Sequence, residues 1–500
     1  MLIRSARRLS GLGLILAASA LTASSVEPTI ALGHRLAPAQ AVRPAARAAR
    51  PGKSGLCTTN GSGGVTPGGS GNVAGGTDSG VLSGGSVSVA PAGPNRACDL
   101  DAVIGGGTGN LIFKDRVDSA KAESSFIAAG IGNTIAASLG FVGSGADNVV
   151  TGDYGFVGTG GDNTVSGEGS FIGGGGSSSV SGTASFAGAG SNANVSGDDS
   201  FVGSGDTNFV TSNYSFVGSG SGNTVGNFSN KKAGQYGAVV GGQGNAASGD
   251  YGFVGGGKNN AESAAYGVVA GGNGNVVSGR GAAIPGGSGN LAAGNDSFAA
   301  GTRSEAAGDG DFVWSDDAGG AKQLSSAAPN QFLVRSSGGV TFYTDAALAT
   351  GVTLAAGGGS WASLSDRALK TAISPLDGER MLAKLATLPL SEWSYKSEGG
   401  VRHVGPMAQD FFAAFGVGED DRHITAVDAD GVSLAAIQGL YRVERRENAA
   451  LRKALGLVTR AQNEQRRALA ARHADIASLE KRLDALAAEV ASLRSASRVR

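Results

Sequence analysis

Serine and lysine stand five residues apart in Ser365-Asp366-Arg367-Ala368-Leu369-Lys370, and this pair of residue types can cut a peptide bond under the right conditions. A serine hydroxyl is a poor nucleophile until a neighbour takes its proton. A lysine takes that proton only as the neutral amine, a form that desolvation favours. Leu369 and Ile373 are the apolar neighbours that would supply such burial inside an assembled oligomer. Taken alone, the segment reads more readily as a turn capped by Ser365 and Asp366, with Lys370 in solvent. The rest of the chain offers little chemistry. No paired-carboxylate cleft of the glycan-hydrolysing kind is apparent between residues 101 and 311. Two cysteines, Cys57 and Cys98, exclude a four-cysteine zinc module and leave one candidate disulfide. No cofactor or metal is expected.

The elements that would carry this segment are made of unusual material. Of 500 residues 87 are glycine, against roughly 7% in an average protein. Basic and acidic residues balance at 40 and 41, so no electrostatic excess points to nucleic acid. An apolar share of 41% sets the chain apart from disordered polymers, and 12 prolines are too few for collagen. So much glycine suggests repetitive β structure with closely spaced turns.

A repeat accounts for it. Phenylalanine recurs every fifteen residues at Phe126, Phe141, Phe156, Phe171, Phe186, Phe201 and Phe216. After a seven-residue insertion the register resumes at Ala238, Phe253, Val268, Ala283 and Phe298, and an earlier copy starts at Val103, making 13 copies. The residue after each phenylalanine is mostly Val or Ile, and a second apolar ladder runs nine residues after it, as at Ile135, Val150 and Val165. Neighbours on a strand point to opposite faces, so one apolar residue fills a coil and the other faces outward. Asparagine occupies one phase at Asn110, Asn133, Asn148, Asn163, Asn208, Asn223, Asn245, Asn260, Asn275 and Asn290, with Ser178, Ala193 and Glu305 as breaks. Such side chains can bond from coil to coil. A short unit cannot bury its apolar face alone, so the copies must stack.

This unit resembles the head repeats of YadA-type trimeric autotransporter adhesins. The resemblance implies a mainly β fold, a trimeric left-handed parallel β-roll in which three chains press outward Val and Ile stripes together. Two departures are visible: the period is fifteen residues where about fourteen is usual in that family, and Ser497-Arg498-Val499-Arg500 is not the end of a membrane β-barrel.

Beyond residue 311 the composition changes. Phe312-Val313-Trp314-Ser315, then Gln331-Phe332-Leu333-Val334-Arg335 and Gly339-Val340-Thr341-Phe342-Tyr343 around a Ser-Gly turn, read as a β neck at 312–364. Three later blocks, from Ser365 to Ile373, from His403 to Asp410 and from Ala435 to Leu440, together resemble the S74 peptidases, intramolecular chaperones at the ends of endosialidases and phage tail spikes. The resemblance implies an α+β chaperone domain at 365–445 that cuts its own chain. Ser365 would be the nucleophile, Lys370 the general base and Leu364-Ser365 the scissile bond. Asp366 would orient the backbone or cap a turn, and His403 would help position the site or serve the fold.

The ends complete the organisation. Arg4, Arg7 and Arg8 precede an apolar run from Leu9 to Ala23, which reads as a secretory signal peptide at 1–23. An Ala/Pro/Arg-rich linker follows at 24–56, then a Gly/Ser-rich segment at 57–100 and the β-roll at 101–311. Over 446–500, Leu451, Leu455, Val458, Leu469, Ile476, Leu479, Leu483, Leu486, Val490 and Leu493 keep the spacing of a coiled coil. The expectation is a secreted or surface-displayed homotrimer, of the type exported by Gram-negative bacteria, with no integral membrane segment once the signal is removed. A host-surface or glycan ligand is its natural partner. A phage-derived tail fibre and a glycan-degrading tail-spike enzyme are the alternatives.

Overall fold

The computed structural model describes residues 57, 59–68, 71–84, 93–113, 123–228, 230, 233–320 and 322–496. The expected signal peptide at 1–23 and linker at 24–56 lie outside the described residues, as do residues 497–500. The chain falls into two units, one ending at Ser337 and one beginning at Gly338.

The first unit is a parallel β-solenoid with two short strands in each coil. Phe156–Val157 and Thr164–Val165 are the strands of one such coil. Stacked coils build two parallel sheets of sixteen strands each. The repeat sets the pairing: Phe156 faces Phe171 and Val157 faces Ile172 in one sheet, while Val165 faces Val180 in the other. Val157, Ile172, Val165 and Val180 are fully buried. Both Val/Ile ladders therefore point inward and meet across the coil. This corrects the expected outward Val/Ile stripes. The outward position belongs to phenylalanine, whose ring is too large for so thin a core. Those rings form a ladder of their own, with Phe141 and Phe156 stacked at 4.6 Å between centroids.

The asparagines also sit inside, buried at the corner of each coil. Asn148 Nδ2 donates to Asn133 Oδ1 and to the Gly160 carbonyl, both at 2.9 Å. Asn148 Oδ1 in turn accepts the backbone N–H of Asn163 at 3.1 Å. Asn148 thus ties its own coil to the neighbours on both sides and gives the buried Asn163 N–H its acceptor. Gly160 makes the corner possible. Its φ is +107°, and a Cβ there would lie 1.9 Å from the Gly175 carbonyl oxygen.

The ladder differs from expectation in three places. It starts earlier, since Asn110 N–H donates to Asn95 Oδ1 at 3.0 Å and Asn95 N–H to Asn72 Oδ1 at 3.1 Å. Ser178 does not break it, because its hydroxyl accepts the Ala193 N–H at 3.2 Å. Glu305 is not in the asparagine slot. The last steps shorten to fourteen residues, pairing Leu291 with Glu305 and Phe298 with Phe312, so Ser304 takes the slot and donates its N–H to Asn290 Oδ1 at 2.9 Å.

The solenoid is longer than the 101–311 repeat. Val73–Ala74, Gly80–Val81 and Arg96–Ala97 add strands in the Gly/Ser-rich segment. A Cys57–Cys98 disulfide spans Cα atoms 5.6 Å apart there. At the other end Phe312–Ser315 and Phe332–Arg335 pair in parallel as further coils. They do not form the neck, and Phe332–Arg335 does not form a hairpin with the strand that follows.

One coil carries a carboxyl group in its core. Glu262 is buried where other coils place Val, Ile or Ala. Its Oε1 accepts the Ala264 N–H at 2.7 Å and its Oε2 the Gly249 N–H at 3.3 Å. Gly252 and Gly267 leave it room, since a Cβ on either would approach the carboxyl oxygens to 1.7 and 2.6 Å.

The second unit opens with an antiparallel meander of Val340–Tyr343, Gly351–Leu354 and Trp361–Ser363. Helix α1 follows at Gly378–Leu385, capped by the Asp377 carboxylate on the Glu379 and Arg380 amides. Strands Ser391–Trp393 and His403–Gly405 pair antiparallel. Helix α2 spans Ala408–Phe415 and stops at Gly416, whose φ is +64°. Helix α3 runs unbroken from Ala426 to Ala496, so the expected boundary at 445/446 falls inside a single helix. Thr425 and Asp428 form a reciprocal cap at its start. Helix α1 packs on α3 with Gly439 against the Gly378 carbonyl, where a Cβ would come to 2.0 Å. Phe411, Val432, Ala435 and Ala436 are buried in this unit, while Leu451, Leu455, Ile476, Leu479, Leu483 and Leu486 on α3 are exposed.

Candidate active site

The meander delivers the chain to the site. Its last strand ends at Ser363, and the next residue is still held: Leu364 N–H donates to the Gly351 carbonyl at 3.1 Å. Ser365 is the first residue beyond that ladder. A short 3₁₀ turn, Arg367–Leu369, follows at once. Asp366 is its N-cap, with extended backbone and Oδ1 accepting the Ala368 N–H at 2.9 Å. Leu369 N–H then bonds to the Asp366 carbonyl and Lys370 N–H to the Arg367 carbonyl, each at 3.2 Å.

This tight winding folds Lys370 back on Ser365. Lys370 Nζ donates to Ser365 Oγ at 2.5 Å. The contact is the one a nucleophile and its base require, because a proton can pass along it when the amine is neutral. Both residues are exposed in the single chain, as are Leu364, Leu369 and Ile373 around them. Asp366 acts on the turn and is not bonded to either member of the pair.

The histidines are occupied elsewhere. His403 Nε2 lies 2.9 Å from Glu398 Oε2, and its ring stacks on Trp393 at 4.7 Å between centroids. His423 Nδ1 lies 2.9 Å from Asp420 Oδ1. The Arg422 backbone N–H, and after it the His423 ring, hold Asp420 below the usual carboxylate range. Gly351, which anchors Leu364 through its carbonyl, was not singled out from the sequence. A backbone acceptor leaves no mark on residue type. Among the described residues no cluster of three or more His, Cys, Asp or Glu could hold a metal ion, and no helix is long and apolar enough to cross a membrane.

Residues 365–416 match the Peptidase S74 family, the chaperone of endosialidase. The match opens on Ser365 itself, runs through the Ser365–Lys370 turn, α1 and the Ser391–Trp393/His403–Gly405 pair, and closes at the αL glycine that ends α2. Peptidase S74 domains are self-cleaving chaperone domains. The matched segment is a small part of this chain. No curated protein matches the chain.

Proposed function

We propose that this protein is a secreted homotrimeric fibre whose S74 domain assembles three chains and then cuts each before Ser365. The observation that carries the proposal is the 2.5 Å contact of Lys370 Nζ with Ser365 Oγ, placed two residues past the last strand of the meander and at the first residue of the S74 match. Attack of Ser365 Oγ on its own carbonyl would close a four-membered ring, whereas the Leu364 carbonyl carbon is reached through a five-membered one. Neutral Lys370 takes the hydroxyl proton, Oγ adds to the Leu364 carbonyl carbon, and the proton passes to the departing Ser365 nitrogen. Water then hydrolyses the resulting ester, freeing Leu364 as a carboxylate.

Exposure of the pair in one chain fits a reaction coupled to assembly. A base must be the neutral amine, the form that desolvation favours, so covering the site would turn the pair on. Leu364, Leu369 and Ile373 form an apolar surround that neighbouring chains would bury. The exposed apolar stripes elsewhere in the molecule support association of several copies. A helix as long as α3 with an exposed Leu/Ile stripe lacks the packing that stabilises helices in water, which a trimeric coiled coil supplies. On the solenoid Phe201, Phe216 and Phe253 remain 36–39% exposed. In a left-handed YadA-like head this phenylalanine face, in place of the Val/Ile stripes, would meet the other two chains. A nucleated helical trimer raises local concentration and aligns the slow-folding β rod. The fibre would serve as an adhesive or structural surface protein. The S74 domain also suits a phage-derived tail fibre, which the endosialidase link favours as the second reading.

The deciding experiment uses the full chain tagged at both ends. On denaturing gels the wild type should yield a C-terminal fragment, residues 365–500, and Ser365→Ala should not. A full-length band from both would refute self-cleavage and leave assembly to be judged by sedimentation.

A further inference from the structure

Tyr214, Tyr236, Tyr251 and Tyr266 occupy the same corner of four consecutive coils. Their rings stack with centroids 4.9, 4.9 and 5.1 Å apart and planes within 8° of parallel. Each is about half exposed, and Arg280 closes one end of the row, 5.5 Å above the Tyr266 ring. All four hold φ between +58° and +63°. Other coils fill this corner with Gly169, Asp199, Gly281 and Asp296, types that tolerate left-handed backbone, but also with Leu139, Tyr154 and Ala184, so positive φ belongs to the corner in every one of these coils. A bulky aromatic there is an outlier, kept where surrounding structure over-determines it.

We propose that this row is an oxidative cross-linking site, at which a peroxidase with hydrogen peroxide joins neighbouring tyrosines as dityrosine and staples successive coils. Each of two phenols loses one electron and its hydroxyl proton. The two radicals couple between ring carbons ortho to the oxygens, forming one C–C bond. Those carbons then release their hydrogens and the hydroxyls are restored. The pair loses two hydrogens overall, and one peroxide is reduced to two waters. Coupling needs two rings held side by side and open to the oxidant, and in-phase stacking of the coils supplies both. Among the described residues Tyr154, Tyr343, Tyr395 and Tyr441 have no tyrosine ring stacked on them.

The test treats the full chain with peroxidase and peroxide, then follows dityrosine fluorescence and maps tryptic peptides. Trypsin cuts after Lys258, so Tyr251 and Tyr266 fall on separate peptides. The expected product joins those two peptides within one chain, lighter by two hydrogens than their sum. A Tyr236→Phe, Tyr251→Phe double variant keeps the rings and should lose most of the fluorescence, while Tyr154→Phe should retain it. Cross-links mapped to other tyrosines, joined peptides found only in bands of double chain mass, or no dityrosine at all would overturn the proposal. Mapping on the wild type decides the matter even if the double variant misfolds.

Discussion

Asp366 accepts the Ala368 amide at 2.9 Å, and this one cap shapes the turn that brings Lys370 onto Ser365. Losing such a cap costs about 1 kcal/mol. Asp366→Ala should therefore slow appearance of the 365–500 fragment roughly fivefold, while Asp366→Asn, which caps equally well, should cleave near the wild-type rate. A time course on denaturing gels separates them. Loss as complete as in Ser365→Ala would mean that Asp366 takes part in the chemistry itself.

Glu262 should make the rod less stable as pH rises. Burial pushes its carboxyl from the ordinary 4.5 up to about 7, against the pull of the Ala264 and Gly249 amides and with a small push from Asp250. Below the unfolded value both states hold the proton and stability is full. Between 4.5 and 7 the unfolded chain ionises while the native coil resists, so stability falls with rising pH. The loss should reach about 3 kcal/mol above neutrality. Urea midpoints at pH 5 and pH 8 measure it, and Glu262→Gln should remove most of the difference. An unchanged pH slope in that variant would clear Glu262 of the effect.

Asn148→Ala should weaken the rod locally. The change strands the Asn163 backbone N–H in a dry interior, while Asn133 Oδ1 keeps the N–H of residue 148 and the Gly160 carbonyl keeps that of Ala146. Unsatisfied buried groups of this kind cost about 1–3 kcal/mol each site. Hydrogen exchange should quicken in the coils at 133–175 before those near 290. Uniform exchange along the solenoid would show that the ladder carries no such load.

Leu483→Asp with Leu486→Asp should abolish trimers. Both leucines are exposed on α3 in the single chain. Charges at the seam of a coiled coil oppose association. Sedimentation should then report single chains and the 365–500 fragment should vanish, because the site is never covered. Cleavage by a monomer would separate the protease from assembly.

Much of the solenoid was legible in the residue types, because one stacked unit of fifteen residues repeats its demands at every copy. The face of each ladder was not. Alternation at Phe156-Val157 says that the two residues oppose each other, and only the width of the coil decides which goes inside. The neck was misread because Phe312 and Phe332 lie at spacings of fourteen and twenty residues from their partners, outside the period that made the other coils visible. Ser304 was missed for the same reason, one residue off phase. Glu262 was hidden because a carboxyl in an apolar slot violates the pattern that identifies the slot. At the site, residue types pointed to Ser365, Lys370 and Asp366, which one turn gathers. His403 is bonded to Glu398, an arrangement its position in the chain gave no sign of.

The unequal coils have a use that the equal ones lack. From Phe126 to Phe216 every turn offers its neighbour nearly the same partners, so a chain that looped out one whole turn would lose little pairing. The longer path from Phe216 to Ala238 and the shortened step from Phe298 to Phe312 fit at one place each. They serve as index marks on an otherwise uniform ruler, telling the growing stack which turn it has reached.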